Sequence, residues 1–204
     1  MHLILLHGIW MRAGITVRLG ARLAAAGYRV TRFDYASIRA PFAQHRAQLL
    51  AQIERLPHPL HLVGHSLGGV LALDCLQQSP LPAEVVSRVV CLGSPLRGSA
   101  LAVRLRRMRL DSLSMGHARE LLVRGLPDWT GAQQVGVIAG EIPVGLSLIL
   151  GRLPGRHDGT VAESETRLPG IADHARVRTS HTGLLFSAPT AELVVRFLRE
   201  GRFG

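Results

Sequence analysis

Short runs of Val, Leu and Ile recur along this chain, separated by longer stretches in which apolar residues return every three or four positions. The short runs lie at 2–6, 28–33, 60–63, 87–92, 134–139 and 175–179. They are nearly continuous rather than alternating, the pattern of strands covered on both faces. Helical patterns lie near 13–26, 40–56, 67–78 and 189–200. In the second of these, Phe42, Leu49, Leu50 and Ile53 form an apolar face, with Gln44, Arg46, Gln48 and Gln52 elsewhere. Alternating strand and helix signals predict an α/β fold: a doubly wound, mostly parallel sheet with helices on both sides and right-handed connections.

Two intervals break the rhythm. Residues 93–133 are rich in Arg and Gly, show no strand, and predict helices near 99–110 and 116–124. This is the natural place for a small lid or helical excursion. Residues 141–157 form a second, apolar excursion rich in Gly and Pro. In the run "RLRRMR", Leu101, Leu105 and Met108 make a stripe at helical spacing with Arg104, Arg106, Arg107 and Arg109 around it. An amphipathic helix packed on the core with a solvated basic face is the first reading. The second is an interfacial helix that touches an anionic membrane or gathers acidic substrate. Trp10, Met11, Leu146 and Leu148 are the candidate pocket lining, although Leu146, Leu148, Ile149 and Leu150 equally suit a core.

Composition narrows the class. The 204 residues suit one domain, and 47% hydrophobic content excludes a disordered chain. The net charge is +10 and every one of the 24 basic residues is Arg. Such a charge suits anionic lipid, nucleic acid or acidic substrate. Without basic residues interleaved with aromatics, and without a recognition motif, no nucleic acid partner is expected. Cys75 and Cys91 lie in apolar runs and read as reduced core thiols. No metal site and no organic cofactor are expected. The opening "HLILLHG" is strand-like and lacks a basic leader, and the longest apolar stretch, "IPVGLSLILG" at 142–151, is too short to span a bilayer. The expectation is a cytoplasmic chain.

The candidate chemistry centres on Gly64-His65-Ser66-Leu67-Gly68, a G-x-S-x-G string. The string alone is weak, because a serine in a glycine turn needs no function. Its context is stronger: an apolar strand precedes it and an apolar helix follows. A serine at such a corner takes a strained backbone, needs Gly64 and Gly68 as slim neighbours, and raises its hydroxyl above the sheet. The helix start offers free N–H groups and a positive dipole end. A nucleophilic serine needs a base, and the base needs an orienting acid. In a parallel sheet, reactive groups gather beyond the C-terminal strand ends. Of ten histidines, His181 follows the last strand and is the candidate base, with His65 assigned to packing. Asp158, in the turn-like "HDGT", ranks first as the acid, and Glu141, just after the fifth strand, is its rival. His7-Gly8 ends the first strand, where glycine lets the Ile9 N–H turn toward Ser66. Ile9 and Leu67 N–H groups are the candidate oxyanion hole, with His7 a structural hydrogen-bonder.

At this point "HGIW" at 7–10, "GHSLGG" at 64–69, "GSPLRGS" at 93–99 and "DGTV" followed by "SHTGLL" resemble the α/β-hydrolases, more narrowly their small lipase and esterase branch. The four matches span nearly the whole chain in order. The resemblance implies a six-stranded sheet in the order 2-1-3-4-5-6, the triad Ser66, Asp158 and His181, and hydrolysis of small-molecule or lipid esters through an acyl-enzyme. The same machinery would serve a thioesterase or acyltransferase. The alternative from another class is a basic lipid-binding module on a hydrolase scaffold that turns nothing over.

Overall fold

The computed structural model describes residues 1–204. Six strands form one parallel sheet: β1 His2–Leu6, β2 Arg29–Phe33, β3 Leu60–His65, β4 Val86–Leu92, β5 Gln134–Gly140 and β6 Asp173–Val177, in the order β2-β1-β3-β4-β5-β6. This is the expected order. The inner strands are the most apolar, and every residue of β3 is buried. Side chains alternate between faces, so Leu3, Leu5, Val63 and Ile138 fill one core while Ile4, Leu6, Leu62 and Val137 fill the other. Helices α1 Val17–Ala25 and α9 Ala188–Glu200 cover the first face. Helices α2 Phe42–Glu54 and α3 Leu67–Gln78 cover the second. Helix α3 is nearly wholly buried and apolar up to Asp74, whose carboxylate is paired by Arg46 of the overlying α2 at 2.8 Å.

The differences from expectation sit where local pattern misleads. Strand β6 begins at Asp173 rather than 175 and ends at Val177 rather than 179. It is an edge strand, so its first residues need no apolar side chains; the Asp173 carboxylate accepts the Phe203 N–H at 2.7 Å instead. His45, three residues after Phe42 and four before Leu49, joins the buried face of α2 despite its polar ring, packed edge-on against Tyr35. The interval 93–133 holds three short helices: α4 Ala100–Arg107, α5 Asp111–Met115 and α6 Arg119–Arg124. Leu101 and Leu105 are buried as the stripe predicts, but Met108 is exposed. The helix stops at Arg107, and Arg109 takes a left-handed backbone (φ 57°) that turns the chain away. The apolar excursion forms a single turn of helix, α7 Ser147–Leu150, and α8 Glu163–Thr166 follows the return to the sheet. No helix is long and apolar enough to cross a membrane. Both cysteines are free and buried, and burial pushes their thiols up to about 12.

One close contact couples the sheet to α9. A Cβ on Gly136 in β5 would lie 2.6 Å from the ring of Phe197, itself fully buried. Gly136→Ala should therefore destabilise the fold by about 1–3 kcal/mol, the usual range for forcing atoms into a packed core. Urea unfolding measures this; an unchanged midpoint would show that α9 shifts freely on the sheet.

Candidate active site

Parallel pairing brings the chemistry-bearing loops together. Leu6 of β1 aligns with Gly64 of β3, and His65 aligns with Leu92 of β4. The segments after β1, β3 and β4 therefore emerge side by side at one edge. Ser66 occupies the corner between β3 and α3 with φ 53° and ψ −121°, a backbone that L-residues rarely adopt. Slim neighbours make the corner possible. A Cβ on Gly64 would sit 2.3 Å from the Gly69 nitrogen, and one on Gly68 would sit 2.6 Å from the His7 carbonyl oxygen. Serine at a helix N-cap ordinarily accepts a bond from the first turn. Ser66 makes no such cap bond, so its hydroxyl is free.

The loop after β1 lies against this corner. A Cβ on Gly8 would touch Ser66 Cβ at 3.2 Å. Ile9 lines the cleft beside Ser66, and its N–H has no acceptor within the chain. Leu67 opens α3, where first-turn N–H groups lack intrahelical acceptors. His7 braces the loop. Its Nδ1–H donates to Gly8 O at 2.8 Å, and its Nε2 accepts the Tyr35 N–H at 3.2 Å. Burial lowers the His7 pKa and keeps this neutral form. Tyr35 stacks on the ring at 4.4 Å and donates its hydroxyl to the His7 carbonyl. The bracing role of Tyr35 escapes sequence reading, because a buried tyrosine after a strand looks like ordinary core.

Asp158 and His181 meet directly: His181 Nδ1–H donates to Asp158 Oδ2 at 2.7 Å, and both side chains are buried. The other carboxylate oxygen accepts the N–H groups of Thr160 and Val161 at 2.9 and 2.7 Å. The acid is thus fixed by three donors. The excursion returns it to the sheet, since a Cβ on Gly140 at the end of β5 would lie 2.8 Å from Asp158 Cβ. Glu141 instead pairs with Arg156 and Arg176 at 3.8 and 3.7 Å, away from His181. Ser66 Oγ and His181 Nε2 are not hydrogen-bonded to each other; such contacts commonly tighten only around substrate. Gly93, left-handed at φ 56°, passes beneath the pair, where a Cβ would lie 3.0 Å from Asp158 Oδ2 and 3.1 Å from His181 Nδ1. That explains the glycine that opens "GSPLRGS".

His65 does more than pack. Its Nε2–H donates to the His181 carbonyl at 3.0 Å, and the two rings lie 4.8 Å apart. The residue beside the corner serine therefore tethers the backbone of the distant histidine. The cleft over Ser66 is apolar and small, about 50 Å³. Trp10 and Leu146 line it, together with Leu105, Met115 and Leu150. Met11 does not line it; it turns inward against the α1 side of the core. Leu148 does not either, because one turn of helix directs Leu146 and Leu150 inward and leaves Leu148 exposed.

Residues 3–197 match the family model described as the alpha/beta hydrolase family. No curated protein matches the sequence. Among solved structures, the mature form of the Bacillus licheniformis lipase BlEst2 superposes with a TM-score of 0.75 at 18% identity, over 97% of this chain and 90% of that one. A metagenomic carboxyl esterase gives 0.69 at 19%, over 98% and 74%. Mouse alpha/beta hydrolase domain-containing protein 10 gives 0.65 at 16%, over 98% and 88%. At these identities the likeness is one of fold.

Burial, with the His181 ring alongside, pushes His65 down to about 3, whereas an unfolded histidine titrates near about 6.5. Between those values the unfolded chain binds a proton that the folded chain refuses. Stability therefore rises with pH through this window, and acidification below about 6.5 removes up to about 1.4 kcal/mol per pH unit through this residue. His65→Gln retains a donor for the His181 carbonyl and removes the titration. Urea unfolding from about pH 6.5 to about 4.5 should show the slope reduced, by up to about 1.4 kcal/mol per unit at the acid end. An unchanged slope would exclude a buried neutral His65.

Proposed function

The chain belongs to the alpha/beta hydrolase family, and from that premise we propose that it is a serine hydrolase that cleaves carboxylic esters. The observation that carries this reading is Ser66: a strained strand-to-helix corner holds a hydroxyl that caps nothing, and the adjoining His65 bonds the backbone of His181 in the buried Asp158–His181 pair. Ser66 Oγ attacks the ester carbonyl while His181 Nε2 takes its proton. Asp158 holds the imidazole in the tautomer that leaves Nε2 free and stabilises the imidazolium that forms. The Ile9 and Leu67 N–H groups receive the oxyanion, each contributing roughly 3 kcal/mol in the transition state. His181 returns the proton to the leaving alcohol, and water then resolves the acyl-enzyme by the same steps in reverse. Two proteins of the same fold, a lipase and a carboxyl esterase, agree with ester chemistry.

A cleft of about 50 Å³ holds only a few water-sized groups. Short acyl chains should therefore be preferred in solution. A panel of aryl esters from acetate to octanoate tests this, and an octanoate optimum would contradict it.

A fluorophosphonate probe should label the protein at Ser66, and Ser66→Ala should lose both labelling and ester turnover, the latter by about a millionfold. Failure to label would favour the non-catalytic lipid-binding alternative. Asp158→Asn should lower kcat by about ten-thousandfold while Glu141→Gln changes it less than about threefold. Comparable losses in the two variants would reject the assignment of the acid.

A further inference from the structure

The segments that close the cleft carry a second, outward surface. Leu105 of α4, Met115 of α5, and Leu146 and Leu150 beside and within α7 face the cleft. Between and beyond them, Met108, Leu110, Leu113, Leu148 and Ile149 are exposed, Leu113 by 82% and Ile149 by 83%. Single exposed leucines are ordinary, but five such side chains around one opening are not. The segments are neighbours: α4 packs on α5 and α7, and Arg104 donates to the carbonyl oxygens of Leu150 and Arg152. Half-exposed Trp10 donates its indole N–H to the Ser114 carbonyl of α5 and completes the rim.

The same rim is basic. Arg106 shares Glu120 at 3.4 Å, whereas Arg107, Arg109 and Arg152 are exposed and have no carboxylate within 4.0 Å. Arg109 is the informative one. Leu110 N–H bonds Leu105 O at 2.9 Å and Arg109 N–H bonds Arg106 O at 3.0 Å, which is the Schellman ending of α4. Its left-handed residue is ordinarily glycine, and here it is Arg109 at φ 57°. The Arg109 side chain makes no ion pair with the fold it strains.

We propose that the rim formed by α4, α5 and α7 docks the protein, cleft first, on an anionic phospholipid surface, with Leu113, Leu148 and Ile149 entering the interface and Arg107, Arg109 and Arg152 meeting headgroup phosphates. Apolar side chains beside counterion-free arginines are the two components of such binding. A second copy of this chain is a poor occupant, because each copy carries a net charge of +10. Docking is independent of turnover at Ser66.

Sedimentation of the full chain with phosphatidylcholine vesicles, with and without phosphatidylglycerol, tests the proposal. Wild type and Ser66→Ala should both sediment with the anionic vesicles and stay in solution with the neutral ones, so that failed docking is distinguished from failed ester chemistry. Combined Arg107→Glu, Arg109→Glu and Arg152→Glu should weaken binding about a hundredfold or more. Leu113→Ser with Ile149→Ser should also weaken it, while hydrolysis of a soluble acetate ester stays unchanged. Arg109→Gly should raise Tm and lower vesicle affinity about fivefold, a combination that a structural role would not give. Equal binding to neutral vesicles, no binding to anionic ones, binding that survives the triple charge reversal, or a solution dimer dissolved by Leu113→Ser would each overturn the proposal.

Discussion

The turn at Ser66 is the constraint on which the site depends. A strand that becomes a helix within one residue must pass through backbone angles that L-residues avoid, at roughly 1–3 kcal/mol. That strain persists because both flanking elements are immobilised. Every residue of β3 is buried between two sheet neighbours, and α3 is enclosed on nearly all sides. Gly64 and Gly68 follow from the same geometry, since the corner brings backbone to within contact of backbone. Gly8 and Gly93 extend the pattern to the adjoining loops. Four glycines at three strand ends thus serve one requirement: three chain segments converge on a volume the size of a side chain.

Around that corner the charge economy of the molecule divides in two. The surface is arginine-rich and strongly positive, while His7 and His65 beside the corner are buried and held neutral. A neutral histidine can donate from one nitrogen and accept at the other. His7 does both, which locks the loop carrying Ile9. His65 donates across to the last loop and thereby ties the corner to His181. Asp158 is the buried charge among them, and three N–H donors compensate it. The outer rim reverses the arrangement: exposed apolar side chains stand beside guanidinium groups that have no counterion.

Much of this was legible in order along the chain. The six strands, their sequence and the helices between them follow from apolar periodicity, which depends only on neighbours a few residues apart. Gly64, Ser66 and Gly68 are legible for the same reason, because a tight corner is a local event. Errors cluster where burial is not local. The edge strand β6 carries polar residues that a central strand could not, so apolar periodicity puts its start two residues late. His45 occupies the same helical face as Phe42, Leu49 and Ile53, yet its polar ring is buried only because Tyr35 packs over it. Met108 continues a helical stripe on paper, yet the helix ends before it.

The amino-acid sequence by itself determined the α/β class, the doubly wound sheet and the serine corner, because period and glycine spacing are short-range properties. The tertiary structure alone decided which acid faces His181. Asp158 and His181 are 23 positions apart and meet because the apolar excursion folds back over Gly140, whereas Glu141, nearer its strand in sequence, turns to Arg156 and Arg176. It likewise decided that Leu146 and Leu150 face the cleft while Leu148 and Ile149 face outward. A one-turn helix separates them, and only its neighbours say which side of that turn is inside.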